Sequence, residues 1–258
     1  MNFVEKNTIA SYDIESKYNA VKNIVIPQVE TPDEHGTKRI KDIFSTLNDS
    51  RIVMIDGEID NLTSSVVCGQ LLQLDEVSHD DIFIYINSPG GSITAGMAIF
   101  DTMMNVRSRV NTIGMGMCAS MGSFLLAAGM LTGTAAALLN SEIMVHQPLG
   151  GFKGQATDFE IHANRIIKSK KRLTAYLAYF CSQNKNSFIG RMETTEEKIN
   201  QLTKDCERDN FMTATEAVEY GLISRIHLTQ RHKELIDGMT TLGFSDEFES
   251  LKRISSNH

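Results

Sequence analysis

The sequence has no closely spaced pair of cysteines and no histidine at metal-ligand spacing from any of them. In a chain of this length, scattered cysteines are expected to be reduced, mostly buried thiols in a cytosol-like compartment. The cysteines therefore predict a protein of a cytosol-like, cytoplasmic compartment with no disulfide framework and no zinc or redox site. The cysteines are Cys68, Cys118, Cys181 and Cys206.

Positive charge is also scarce. The chain carries 25 Lys and Arg residues against 32 Asp and Glu residues, for a formal net charge of -7. The one basic cluster, at residues 168–172, is expected on the solvated side of a long helix, and no basic run is interleaved with aromatics. We therefore expect no nucleic-acid partner.

The sequence lacks a recognisable secretion signal or membrane span. Residues 1–24 are polar and include acidic side chains, so they resemble neither a signal peptide nor a transit peptide. Residues 110–141 contain no charged side chain and are long enough to cross a bilayer. Glycines and polar residues interrupt this segment, so we predict a strand, a helix and a strand buried in a core, and no membrane contact.

From residue 51 onward the sequence alternates regularly between strand and helix patterns. Apolar runs predict strands at residues 51–55, 81–86, 110–117, 134–139, 142–146 and 222–226. Helical periodicity predicts helices at residues 61–77, 92–106, 119–130, 155–181, 194–206 and 213–220. Thr213, Glu216 and Gly221 give the last of these an N-cap, a capping box and a C-cap. The alternation indicates an α/β domain whose apolar strands are buried on both faces.

The segments on either side of this domain are less regular. Residues 1–24 are predicted to be a flexible or removable leader, and residues 25–38, which are rich in turn-forming residues, a mobile arm. Residues 228–258 alternate weak helix signals with polar stretches and are predicted to be an appended tail.

Two glycine-rich junctions lie where a predicted strand gives way to a helix. At residues 88–92 (SPGGS), glycine permits close approach of a ligand to the backbone, but no phosphate-binding G-x-x-x-x-G-K-[ST] motif is present. At residues 116–123, Ser120 falls in the first turn of a predicted helix among small residues. This placement is that of a nucleophile elbow without its G-x-S-x-G pattern, although Ser120 could instead be a helix N-cap.

A serine nucleophile needs a base, because its hydroxyl is too weak an acid to attack unaided. Of the seven histidines, His146 is the best placed, because it ends an apolar strand run. Ligand sites in α/β sheets lie at such strand ends. A carboxylate would orient the imidazole. The chain offers many acids, and spacing cannot choose one of them. Asp209 lies in a predicted loop between helices, and so does Asp205 nearby.

Together these segments closely resemble the proteolytic subunit of the Clp protease, a family of serine peptidases. The matching segments follow the family's order over roughly residues 25–226. They are YINSPGG (85–91), ITAGM (93–97), ASMG (119–122), MVHQPLGG (144–151), GQATD (154–158), ERD (207–209) and ATEAVEYGL (214–222).

The resemblance implies the α/β crotonase-like fold of that family, with repeated ββα units and a long projecting handle helix. It implies Ser120 as the nucleophile, His146 as the general base and Asp209 as the orienting acid. The backbone N–H groups of Gly91 and Met121 would form the oxyanion hole. No metal or other cofactor is implied.

The implied activity is that of a serine endopeptidase that hydrolyses unfolded polypeptides inside a closed chamber. In this family the chamber is a homo-oligomer of two stacked seven-membered rings, fed by an ATP-driven AAA+ unfoldase. Phe83 and Tyr85 fit the family's docking pocket for the unfoldase. Asn105 and His227 stand where apolar side chains are expected, which would weaken the docking of an apolar loop. The peptidase domain would span residues 25–227.

Two alternatives come from other functional classes. An acyl-CoA enzyme of the crotonase superfamily shares the glycine-turn oxyanion hole, but it would not need Ser120, His146 and Asp209 together. A non-catalytic structural subunit of a mixed ring usually lacks one or more of these three residues, whereas this chain has all of them.

Overall fold

The computed structural model describes residues 27–32, 38–151 and 154–242. The predicted leader, residues 1–24, lies outside the described residues, as does the chain from residue 243 onward. The described residues divide into two compact units, one before residue 51 and one from residue 51 onward.

The described part of the first unit is an antiparallel hairpin followed by a helix. Its elements are β1 (Gln28–Pro32), β2 (Lys38–Asp42) and α1 (Ile43–Asp49). Asp42 ends β2 and caps α1, because its carboxylate accepts a hydrogen bond from the backbone N–H of Ser45. The turn-rich composition of residues 25–38 predicted neither strand. The mobility of that segment stays a prediction.

The second unit contains the strands β3 (Ile52–Asp56), β4 (Ile82–Ser88), β5 (Val110–Ala119), β6 (Ala135–Leu138), β7 (Glu142–Val145), β8 (Asn210–Thr213) and β9 (Arg225–His227). They form a mainly parallel sheet with strand order β3-β4-β5-β6-β9, in which β7 pairs with the end of β5 and β8 is antiparallel to β7. The helices are α2 (Asn61–Val77), α3 (Ile93–Asn105), α4 (Met121–Thr132), α5 (Ala156–Cys181), α6 (Thr195–Asp205), α7 (Ala214–Tyr220) and α8 (Gln230–Thr241). The predicted α/β class is confirmed.

Helix α2 shows how the sequence determines where a helix begins and which of its faces is buried. Asp60 accepts the backbone N–H of Thr63 and caps the helix, and Val67, Leu71 and Leu74 are buried one turn apart. This spacing of three and four residues places the three apolar side chains on one face, which packs into the core. The predicted bounds agree with the observed ones.

The uncharged segment at residues 110–141 forms β5, α4 and β6, as predicted. Every residue of α4 from Met121 to Gly129 is buried, so the helix is surrounded by protein. Among the helices that the structure describes, none combines the length and the apolar character needed to cross a membrane.

The burial of strand β4 differs from the sequence prediction that both faces of the sheet are buried. Ile82, Ile84 and Ile86 are fully buried, but Phe83 is 37% exposed and Tyr85 is only partly buried. Side chains alternate between the two faces of a strand, so one face of β4 enters the core and the other stays partly open to solvent. The prediction of burial on both faces is therefore wrong for this strand within a single chain.

The long helix α5 is buried only in its last third. Its buried residues begin at Thr174, and the residues before that are half-buried or exposed within the single chain. The predicted long helix is present, and its position agrees with the projecting helix implied by the resemblance.

Helix α8 lies in the segment that the sequence predicted to be a tail. Thr229 and His232 form a capping box, in which the Thr229 hydroxyl accepts the His232 N–H and the His232 ring accepts the Thr229 N–H. Ile236 is only 2% exposed and belongs to the main core. At least this part of the segment is therefore packed against the domain.

Candidate active site

Ser120 lies at the sharp turn between β5 and α4, directly before the helix rather than within its first turn. Its backbone has φ of 55° and ψ of -118°, an uncommon conformation for a residue with a side chain. The Ser120 N–H donates to the carbonyl of Met144 in β7, and its own carbonyl accepts the N–H of Phe124. A strained strand-to-helix turn of this kind projects the serine Oγ out of the backbone, as in a nucleophile elbow.

Ser120 does occupy the N-cap position of α4, as the alternative interpretation expected, but it does not cap the helix through its side chain. Its side chain makes no capping hydrogen bond to α4. The Oγ lies instead 2.9 Å from Nε2 of His146. The serine hydroxyl is therefore available to the imidazole and is not used by the helix.

His146 follows the last residue of β7, and Asp209 precedes the first residue of β8. The antiparallel pairing of Val145 with Asn210 brings these two neighbours together across 63 residues of sequence. Nδ1 of His146 lies 2.9 Å from Oδ1 of Asp209. The structure thus places Ser120, His146 and Asp209 in one chain of hydrogen bonds.

The direction of these hydrogen bonds follows from the groups involved. An ionised carboxylate can only accept, so Nδ1 of a neutral His146 carries the ring proton and donates it to Asp209. Nε2 is then unprotonated and accepts from the Ser120 hydroxyl. The His146 side chain is 12% exposed, whereas that of Asp209 is 60% exposed. The acid at this site is therefore well solvated, and the imidazole is not.

Asp205, the other carboxylate that the sequence left open, has different partners. Its carboxylate accepts from the hydroxyl of Tyr220 and from the side-chain amide of Gln201. Burial, together with the hydrogen bond to Asp205, raises the pKa of Tyr220 well above its usual range. No hydrogen bond joins Asp205 to His146 among the described residues.

Gly91 lies in a backbone turn beside the start of α4. The Ile59 N–H donates to the Gly90 carbonyl, and the Ser92 N–H donates to the Ile59 carbonyl. These bonds flank Gly91, so its own N–H points away from Ile59. A Cβ on Gly90 would lie 3.0 Å from the backbone N of Met121. The Gly91 and Met121 amides therefore belong to two adjoining turns next to Ser120.

Asn87 supports the end of the strand that leads to Ser120, a role that the sequence did not predict. Its side-chain amide donates to Asp56, and its Oδ1 accepts the N–H of Met117. Near the end of β5, Gly116 has φ of 61°, and a Cβ on it would lie 2.7 Å from Oδ1 of Asn87. Asn87 thus holds the irregular end of the strand that leads to Ser120. Its position in the turn motif was the only sequence signal.

The cysteines and the described acidic side chains show no arrangement typical of a metal site. All four cysteines are free thiols, and three of them are buried, which agrees with the prediction. Burial raises the pKa of both Cys118 and Cys206 to about 12, so these thiols stay protonated and unreactive near neutral pH. Within the described ranges, no group of three or more His, Cys, Asp or Glu residues is arranged to bind a metal.

The residues predicted for partner docking lie on β4, away from the turn that carries Ser120. Phe83 and Tyr85 point to the partly exposed face of that strand. In the parallel register Ile52 pairs with Phe83, and Met54 pairs with Tyr85. The apolar character of this face therefore continues onto β3.

The protein has a mixed α/β fold, and at its Ser120 turn a serine, a histidine and an aspartate form a hydrogen-bond chain of the kind that serine hydrolases use. The family model described as Clp protease matches residues 34–230, which is most of the chain. The chain belongs to the Clp protease family. The predicted resemblance and the crotonase-like fold that it implied are both confirmed, and family membership makes the chain a protease.

Proposed function

We propose that this protein is a serine endopeptidase, the proteolytic subunit of an ATP-dependent Clp protease, with Ser120, His146 and Asp209 as its catalytic triad. The observation that carries the proposal is the continuous chain of two 2.9 Å hydrogen bonds from the Ser120 hydroxyl through His146 to Asp209. Its occurrence in a member of the Clp protease family favours peptide-bond hydrolysis over other uses of such a triad.

In the proposed reaction, Nε2 of His146 takes the hydroxyl proton as Ser120 attacks the peptide carbonyl. The imidazolium that forms is stabilised by Asp209, and it then gives its proton to the leaving amine. Water, deprotonated by the same imidazole, hydrolyses the acyl-enzyme and restores the Ser120 hydroxyl. No metal or cofactor takes part in these steps.

The Gly91 and Met121 N–H groups are proposed to bind the oxyanion of the tetrahedral intermediate. The positions of the two amides support this role: their two turns adjoin, and the Gly91 N–H points away from Ile59. One donor of this type is typically worth about 3 kcal/mol in the transition state. A peptide carbonyl beside Ser120 would lie between the two amides.

We further propose a homo-oligomer of two stacked seven-membered rings, with α5 as the contact between rings and unfolded polypeptides as substrates. Within the single chain, α5 has no fully buried residue before Thr174 and many exposed ones, which is consistent with a contact to another subunit. Native mass spectrometry should show the mass of two seven-membered rings, and the mass of one chain would contradict this assembly.

An AAA+ unfoldase is proposed to dock on the β4 face that carries Phe83 and Tyr85. The double variant Phe83→Ala, Tyr85→Ala should lose ATP-stimulated degradation of folded proteins but keep the hydrolysis of short peptides, which need no unfolding. Loss of both activities to the same extent would argue against a docking role.

The proposed domain limits follow the sequence prediction: a leader at residues 1–24, a peptidase domain at residues 25–227 and a C-terminal segment at residues 228–258. Removal of the leader is the proposed maturation step, in a cytoplasmic protein. Mass spectrometry of the active enzyme tests this, because a retained Met1 would contradict removal.

The triad is tested by incubating the purified protein with a fluorogenic dipeptide and a fluorophosphonate probe, beside Ser120→Ala. Hydrolysis and labelling in the parent, both absent in Ser120→Ala, are the expected outcome. The control is Ser65→Ala, on the exposed side of α2, which should behave like the parent. Hydrolysis of an acyl-CoA thioester but of no peptide would favour the crotonase-type alternative. An assembled parent that neither hydrolyses peptide nor takes the label would refute the triad and favour a structural subunit.

A further inference from the structure

The exposed Asp209 carboxylate has one hydrogen bond among the described residues, the bond to His146. With 60% of its side chain exposed, little packing holds it in place. Its position must therefore come from the backbone on either side. On the C-terminal side, Asn210 is fixed by its pairing with Val145 in the β7-β8 ladder.

On the N-terminal side, Gln147 holds the backbone. Its N–H donates to the carbonyl of Cys206 at 2.5 Å, and its side-chain Nε2 donates to the carbonyl of Glu207 at 2.9 Å. One residue, adjacent to His146, thus binds two consecutive carbonyls that precede Asp209. The segment that carries His146 and the segment that carries Asp209 are therefore hydrogen-bonded to each other on both sides of the His146–Asp209 contact.

Lys170 determines which way the Gln147 amide points. Its ammonium, on the partly buried side of α5, donates to Oε1 of Gln147 at 2.7 Å. An ammonium can only donate and the Glu207 carbonyl can only accept, so the amide satisfies both in a single orientation. Within the described residues, Lys170 forms no ion pair with a carboxylate. The neutral Gln147 is the hydrogen-bond partner of this charge.

We propose that Gln147 is a positioning residue that sets the Asp209 carboxylate against His146, and that Lys170 fixes the orientation of its side chain. The inference rests on the triad proposed above and adds two residues to it. Neither residue contacts the reacting atoms. Both act through the placement of Asp209, because a packed acid would hold itself in place and this exposed acid does not.

The first test compares Gln147→Ala and Gln147→Glu with the parent. The Ala variant loses the side-chain bond to the Glu207 carbonyl and keeps the backbone bond to Cys206. The Glu variant can still accept from Lys170, but its carboxylate cannot donate to that carbonyl. Each should lower kcat for a dipeptide about tenfold with KM within about twofold, since small misplacements of catalytic groups act on the chemical step.

The decisive comparison uses the Asp209→Ala background. If Gln147 acts through Asp209, adding Gln147→Ala to Asp209→Ala should lower kcat no further. An equal tenfold loss in both backgrounds would overturn the proposal, because it would mean that Gln147 acts elsewhere.

Lys170→Met should lower kcat by a few fold, and Lys170→Arg, which keeps a donor, should recover part of the loss. The control is Lys233→Met, an exposed lysine on α8, which should retain parental kcat. Equal losses in Lys170→Met and Lys233→Met would refute the role given to Lys170.

A crystal structure of Gln147→Ala supplies a readout independent of activity. The distance between Nδ1 of His146 and Oδ1 of Asp209 should lengthen beyond hydrogen-bonding range. An unchanged distance would overturn the proposal even if the parent is an active peptidase. If the parent proved inactive, the triad would fail, and the variant's geometry would still decide whether Gln147 positions Asp209.

Discussion

A Cβ atom on Gly90 would lie 2.6 Å from the Cβ of Ser120 and 2.7 Å from the carbonyl oxygen of Ala119. Gly90 also has φ of 95°, which side-chain-bearing residues rarely adopt. The glycine turn before α3 and the serine turn before α4 therefore touch with no room for one methyl group. This contact places the two proposed oxyanion amides beside the proposed nucleophile.

Gly90→Ala should therefore reduce peptide hydrolysis strongly. The added methyl group must displace either Ser120 or its own turn, and a displacement of about 1 Å is expected to lower kcat/KM about 100-fold. The measurement is the rate of dipeptide hydrolysis together with fluorophosphonate labelling of Ser120.

The matched control for this variant is Gly69→Ala. Gly69 lies within α2, and nothing would lie within 4 Å of its added Cβ. Alanine is the better helix former, so this variant should keep full activity and gain about 0.5–1 kcal/mol in the free energy of unfolding. Full activity in Gly90→Ala would mean that the two turns are not tightly coupled.

Asp209→Ala should lower kcat about 10²–10⁴-fold, because the imidazolium of His146 would lose its counter-charge and its orientation. The high exposure of Asp209 argues for the lower part of this range, since a solvated carboxylate interacts more weakly than a buried one. The measurement is kcat for a dipeptide at saturating substrate.

Asp205→Ala is the comparison that separates the two carboxylates left open by the sequence. It removes the acceptor of Tyr220 and Gln201, so it should lower the unfolding midpoint while kcat stays within a few fold of the parent. A larger kcat loss in Asp205→Ala than in Asp209→Ala would contradict the proposed triad.

Much of this site was predictable from local patterns. Ser120 and His146 each stand at the end of an apolar run, and strand ends are where α/β sheets place ligands. Likewise, the capping box of Thr213 and Glu216 and the left-handed cap at Gly221, all predicted, are present in α7. Such signals depend only on neighbours in sequence, so the sequence alone predicts them.

Local sequence patterns could not identify the carboxylate that partners His146. Asp209 reaches His146 only because the four-residue strand β8 pairs with β7, and so short a strand gave no periodic signal. Asp205 lies four residues away and faces other partners. Gln147 was also missed, because its role depends on carbonyls and on Lys170, which lie far from it in sequence. It was the family resemblance that pointed to Asp209.

Asp75 should make the stability of the domain dependent on pH. Burial alone would raise the pKa of its carboxyl, but hydrogen bonds from the N–H groups of Ser108 and Arg107 and from the Ser108 hydroxyl lower the pKa to about 2, and nearby His79 contributes to this. The folded state therefore binds the proton less tightly than the unfolded chain. The resulting stabilisation is present above about pH 4 and is lost as the pH falls through about 2.

Asp75→Ala should accordingly be less stable than the parent by about 1–2 kcal/mol at neutral pH. The difference should shrink as the pH falls from 4 towards 2. Thermal unfolding midpoints measured across that range test this. The control is Asp101→Ala, an exposed acid on α3, which should show no such trend. A constant difference between Asp75→Ala and the parent at all pH values would show that the charge of Asp75 contributes nothing.

Ile236 tests whether α8 is part of the folded domain or only an appendage to it. The residue lies beyond the end of the family match at residue 230, yet it is 2% exposed and packs in the main core. Truncating a buried isoleucine to alanine removes apolar burial and leaves a cavity, which typically costs about 2–5 kcal/mol. Ile236→Ala should therefore lower the unfolding midpoint of the whole domain and speed proteolysis within α8.

The neighbouring Leu235, which is mostly exposed, supplies the matched control, and Leu235→Ala should change the midpoint little. If both variants unfold like the parent, α8 contributes no stability and the proposed boundary at residue 227 is physically meaningful. If Ile236→Ala alone is destabilised, the folded domain extends at least through α8. In that case a protein truncated after residue 227 should lose the same stability, because the core would be left open where Ile236 packs.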